Sequence, residues 1–70
     1  MTLAQAKALS PGQIVYHVRE CNADGTPKRW KVNGRVRTWK RDGERVCVPV
    51  KHGLYAYGYI DEDCIDQFTL

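Results

Sequence analysis

Apolar and polar residues alternate in short runs along most of this chain, and each run is closed by turn-forming residues. That pattern leaves antiparallel strands as the main way for the chain to bury its apolar side chains. In Gln13–Glu20, Ile14, Tyr16 and Val18 share one face, and Val15, His17 and Arg19 share the other. Asn22-Ala-Asp-Gly-Thr-Pro27 is rich in turn formers and predicts a loop between two antiparallel strands. Asn33-Gly34 is the sharpest local signal, because both residues tolerate the positive φ that a type I′ hairpin turn requires. It predicts a hairpin of Arg29–Val32 with Arg35–Arg41, with Trp30 facing Arg37, Val32 facing Arg35, and Trp39 diagonal to Trp30 on the same face. Both faces of that hairpin are mixed. Either a bulge resets its register, or arginine stems lie over aromatic rings.

Asp42-Gly43-Glu44 predicts the next turn, and Arg45–Lys51 the next strand, with Val46, Val48 and Val50 inward and Cys47, Pro49 and Lys51 outward. Pro49 has no N–H to give to a ladder, so it marks an edge or a bulge. His52-Gly53 breaks that strand. Tyr55–Ile60 follows, with Tyr55, Tyr57 and Tyr59 on one face and Ala56, Gly58 and Ile60 on the other. Asp61–Asp66 predicts one helical turn capped by Asp61, and Phe68–Leu70 a short last strand. At the other end, Thr2-Leu-Ala-Gln5 reads as a capping box for a helix of at most two turns, stopped by Ser10-Pro11-Gly12.

Seventy residues make one domain, spanning 1–70, with a thin core. No apolar run is long enough to cross a bilayer, and Met1–Leu9 lacks the apolar region of a secretory signal. Cytoplasmic residence is the expectation. Cys21, Cys47 and Cys64 are odd in number and widely spaced, which fits reduced thiols better than a disulfide framework. With His17 and His52 they lack the local ligand spacing of a zinc site, so neither a metal nor a cofactor is expected.

Short strands joined by tight turns predict an all-β fold, a small SH3-like barrel of about five antiparallel strands with a short N-terminal helix. The stretch Leu9-Ser-Pro-Gly12-Gln-Ile-Val15 resembles the entry of SH3-like barrels, including the KOW type. Val32-Asn-Gly-Arg-Val36-Arg-Thr-Trp-Lys40, together with Pro49-Val-Lys-His-Gly-Leu54, resembles a group of small uncharacterised proteins encoded by bacteriophages and prophages. The second resemblance implies a bacterial or phage cytosolic setting and carries no activity or site residues.

Charge is the strongest functional signal. Eight of the eleven Lys and Arg residues fall between Lys28 and Arg45, opposed there only by Asp42 and Glu44. A basic, aromatic hairpin suits nucleic acid: Lys31, Arg35, Arg37, Lys40 and Arg41 are the candidate phosphate contacts, and Trp30 and Trp39 the candidate stacking rings. An ordinary solvated hairpin with two core tryptophans has the same composition. The acidic stretch Asp61, Glu62, Asp63, Asp66 is also placed to fold back and neutralise the cations. The alternative is a protein-binding or phage-assembly module that docks a host or phage protein along Tyr55, Tyr57 and Tyr59 or at an open sheet edge. Exposed arginine with buried tyrosine favours nucleic acid, and exposed tyrosine near an unpaired edge favours a protein. Nothing reads as catalytic: Cys47 and His52 are badly spaced for a nucleophile and base, and no phosphate-loop pattern is present, so a non-enzyme is expected.

Overall fold

The computed structural model describes residues 1–70. Its order is helix α1 (Leu3–Lys7), then strands β1 (Ile14–Cys21), β2 (Pro27–Val32), β3 (Arg37–Lys40), β4 (Glu44–His52) and β5 (Ala56–Asp61), a 3-10 turn (Ile65–Gln67), and β6 (Phe68–Thr69). All strand pairs are antiparallel. The fold is therefore small and all-β, with the final strand raising the count to six. The sheet curls into a half-barrel around β4, which pairs with β5 along one edge and with both β2 and β3 along the other. β1 then pairs with β2, and β6 with β1. No helix is long and apolar enough to cross a membrane.

The Asn33-Gly34 hairpin does not form. β2 and β3 run in the same direction and share the same partner strand, with Val32 opposite Val50 and Arg37 opposite Cys47. Neither Asn33 nor Gly34 adopts a positive φ. The pairings of Trp30 with Arg37 and of Val32 with Arg35 are thereby replaced: Trp30 lies opposite Val15 instead. Five residue steps separate Val32 from Arg37, against three from Val50 to Cys47, so the chain bulges outward over Asn33–Val36. The bulge sits beside Pro49. The Pro49 carbonyl accepts from the Asn33 N–H (3.0 Å), so Pro49 turns its missing donor toward the same edge. The absence of a side chain at Gly34 lets the bulge lie on the proline ring, because a Cβ there would stand 2.9 Å from Pro49 Cγ.

The tight hairpin turn lies one connection later. Asp42 (φ 54°) and Gly43 (φ 111°) both adopt left-handed backbone between β3 and β4. The capping box is in place: Thr2 Oγ1 accepts from the Gln5 N–H (3.1 Å), and the Thr2 N–H donates to Gln5 Oε1 (2.9 Å). After β5, Asp61 Oδ1 accepts from the N–H groups of Asp63 and Cys64 and caps the turn that leads to β6. In β1, His17 Nδ1 accepts from the N–H groups of Arg19 and Glu20, which fills the break in the β1–β2 ladder.

The core lies on the inner side of the sheet, beneath α1. Its buried strand residues are Val15, Val32, Val46, Val48, Val50, Ile60 and Phe68, joined by Ala6 and Leu9. The inward phase of β4 is the one its alternation predicts. Burying each such aliphatic side chain is worth about 1.5–3 kcal/mol, so this valine-built core has little to spare. β3 extends past it and is exposed along its whole length. We expect Gly34→Ala to cost about 1–3 kcal/mol in urea unfolding, as overpacking does. In a Pro49→Ala background most of that cost should disappear. A cost unchanged by Pro49→Ala would show that the ring does not set the conformation of the bulge.

Candidate functional site

Residues directly opposite on paired strands share a face, and the β4 register therefore fixes the outer surface. One row across the sheet reads Ile14, Lys31, Lys51, Tyr57. Its neighbour joins Pro49 to Tyr59 beside the bulge, and the next joins Arg37, Cys47 and Asp61. Trp39 and Arg45 form the last row. Arg29 extends the same face toward Tyr16. A depression of about 270 Å³ opens where the bulge passes β4, lined by Gly34, Arg35, Arg37, Cys47, Pro49 and Tyr59.

The two sets of candidates that look separate in the sequence therefore meet on one surface. Lys31, Arg35 and Arg37 stand among Tyr57 and Tyr59, which are 66% and 71% exposed. Trp39, 47% exposed, continues the aromatic group toward β3. Lys40 and Arg41 do not join it: Lys40 is in the opposite phase of β3, opposite Glu44, and Arg41 is in the hairpin turn. Tyr55 lies in the loop before β5 and points freely into solvent.

Trp30 is on the other side of the sheet from Trp39. An odd number of residue steps separates them, and the two extra residues of the bulge preserve the alternation. Trp30 is half-buried against Phe68 and His52, with ring centroids 6.5 Å and 5.5 Å away. Its indole Nε1 is buried without a hydrogen-bond partner. It is thus placed as a core residue rather than a stacking platform. Two unpaired outer-face cations are absent from the sequence candidates: Arg29, within the dense basic run, and Lys51, outside it, whose outward phase on β4 marks it.

The acidic stretch neutralises one cation of this face, Arg45, through Glu62, and makes no ion pair with the others. The four ion pairs are Lys7–Glu44, His17–Glu20, Lys28–Glu20 and Arg45–Glu62. Arg29, Lys31, Arg35, Arg37 and Lys51 have no carboxylate partner. Both Glu62 oxygens are engaged at the Arg45 end of the face: Oε1 accepts from Arg45 (2.7 Å) and Oε2 from the Val46 N–H (3.1 Å). Lys31 and Lys51 stand directly opposite each other, an arrangement of like charges that weakens a sheet. No group of three or more His, Cys, Asp or Glu side chains is arranged to hold a metal. Cys47 and His52 sit in opposite phases of β4, with His52 Nδ1–H donating to the Arg29 carbonyl (2.7 Å). Neither protein-family models, nor curated proteins, nor solved structures contain a match to this chain.

Two outcomes check this geometry. The Trp39 indole N–H should exchange with solvent rapidly and that of Trp30 slowly, which indole proton NMR reads directly; equal rates would contradict the opposed placement. The Arg45 hydrogen bond, with the backbone donors, holds the Glu62 carboxyl below its usual value of 4.5, and the Lys7 hydrogen bond does the same for Glu44. A carboxyl lowered in the folded state contributes stability that is present above pH 4.5 and lost as the pH falls through the folded value. Glu62→Gln should therefore unfold at lower temperature than the wild type near neutral pH. The difference should narrow below pH 4.5.

Proposed function

We propose that this chain is a non-catalytic module that binds single-stranded nucleic acid across the outer face of its sheet. The observation that carries the reading is the opposed, unpaired Lys31 and Lys51, set in a row that ends on Tyr57. Like charges facing each other lower stability, and a polyanion relieves that cost by lying between them. Arg35 and Arg37 extend the positive surface, and Tyr57, Tyr59 and Trp39 supply ring faces that accept any base.

The spacing of the tyrosines favours an unpaired strand. Tyr57 and Tyr59 are two residues apart on β5, which separates their origins by about 6.8 Å, twice the ~3.4 Å step along a duplex strand. A duplex keeps its bases stacked on one another and turned away from such rings. A stretched single strand can lay successive bases on both while its phosphates follow the lysines and arginines. Three free thiols accord with a reducing, cytoplasmic setting.

A second reading rests on β5, which has no partner on its outer edge and follows the exposed Leu54 and Tyr55. A host or phage protein adding an extended segment there is the rival. It is the weaker reading, because Cys64 already occupies part of that edge: its Sγ accepts from the Asp61 N–H (3.2 Å) and approaches the Tyr59 carbonyl (3.8 Å).

Fluorescence anisotropy with a labelled oligothymidylate and a labelled duplex, at two salt concentrations, tests the proposal. The single strand should bind more tightly. Lys31→Ala with Lys51→Ala should weaken binding and reduce the salt slope by about 0.7 per cation removed. Tyr57→Ala should cost about 1–3 kcal/mol of binding. Lys40→Ala with Arg41→Ala should change affinity much less. Binding indifferent to the outer-face variants, or absent at low salt, would overturn the reading and leave the β5 edge as the candidate.

A further inference from the structure

We infer that the depression beside the bulge is a subsite for one nucleotide, holding its phosphate on Arg35 and Arg37 and its base against Tyr59 and Pro49. The inference rests on the nucleic-acid reading and adds to it a fixed position on the face where one unit of the strand is anchored.

The depression is the one cavity the molecule has, at about 270 Å³, and the fold builds it from the same constraint that creates the bulge. The chain leaves the β4 ladder over Asn33–Val36, and Gly34 packs so closely on the Pro49 ring that a Cβ there would stand 2.9 Å from Cγ, which closes one side of the depression. What remains is an opening with chemically distinct walls. Pro49 and Tyr59 are directly opposite on β4 and β5 and offer an aliphatic ring beside an aromatic one. Arg35 and Arg37 stand on the β3 side, exposed and free of carboxylate partners.

Each wall suits a different part of a nucleotide. A guanidinium presents a planar fork of donors that matches phosphate oxygens in pairs, and two of them together outbid a single lysine for one phosphate. A largely exposed phenol ring gives a base a face to stack on, and the proline ring adds apolar contact. The nearby carboxylate, Asp61, directs Oδ1 to the N–H groups of its own turn and makes no ion pair with Arg35 or Arg37. Elsewhere on the outer face, cations and rings lie on open sheet without walls. A strand held there makes interchangeable contacts, whereas the unit in the depression is held on two sides.

The test uses amide chemical shifts of the full chain titrated separately with uridine 5′-monophosphate, uridine and inorganic phosphate. The nucleotide should give saturable shifts confined to Gly34–Arg37, Cys47 and Tyr59, with affinity at least fivefold above that of either fragment. Arg35→Ala with Arg37→Ala should lower nucleotide affinity tenfold or more. Tyr59→Phe should retain nucleotide binding and Tyr59→Ala should lose most of it, both judged on variants whose spectra remain folded. If the nucleotide shifts are absent, or spread over Lys31, Lys51 and Tyr57, while oligothymidylate still binds the outer face, the subsite is overturned and the nucleic-acid reading stands. If neither nucleotide nor oligothymidylate binds, both fall together.

Discussion

The missing donor of Pro49 organises the sheet. β4 is the only strand that pairs along both edges for most of its length, and one position on it cannot complete the ladder. The chain opposite responds by leaving the ladder for four residues and rejoining it with two to spare. What would otherwise be one long strand becomes β2 and β3, each held to a different half of β4. Because the excess is two residues, the inward and outward phases continue through the interruption. Val32 stays in the core, and Arg37 stays in solvent. An excess of one would have turned Arg37 and Trp39 inward.

That constraint also explains what the sequence could and could not disclose. The helix cap, the inward valines of β4 and the turn at Asp42-Gly43 were legible because each depends on residues within a few positions, whereas the helical turn expected over Asp61–Asp66 forms at Ile65–Gln67, after the turn that Asp61 caps. Pro49 was itself legible as a bulge or edge marker. Asn33-Gly34 misled because its partner in determining the structure lies in another strand. Locally, the pair is a good hairpin turn. In the fold, Gly34 is needed for its lack of a Cβ above the proline ring, and its backbone does not enter the left-handed region. A hairpin at Asn33-Gly34 would put Trp30 on the face of Trp39, whereas the bulge keeps it on the core side opposite Val15, and nothing within the basic run alone distinguishes the two.

The candidate surface shows the same division. The cations of the basic run and the tyrosine stripe each stood out by composition, and most of both are exposed. Their union did not, since it depends on β4 lying between β2 and β5 and carrying Lys51 outward between Lys31 and Tyr57. Sequence distance grouped Lys40 and Arg41 with the others, whereas strand phase and the turn remove them. Of the two outcomes separated by the sequence, buried tyrosine is not found: Tyr57 and Tyr59 are exposed beside the unpaired edge of β5, the arrangement expected for a protein partner, and they share that face with exposed arginines. Glu62 pairs with Arg45 and Asp61 Oδ1 accepts from its own turn, so the remaining cations stand beside the rings without an ion pair.

The molecule measures 40 × 21 × 16 Å, so in its thinnest direction there is room for one sheet and the thin layer packed beneath it. Core and outer face are consequently two sides of the same strands: Val46, Val48 and Val50 alternate with Cys47, Pro49 and Lys51 along β4. A volume change under the sheet is transmitted through a single peptide unit to the residues above it. In a thicker protein, a second layer would absorb that displacement. Here the freedom to vary the interior and the freedom to vary the surface are one quantity, and substitutions on either side of β4 draw on the same tolerance.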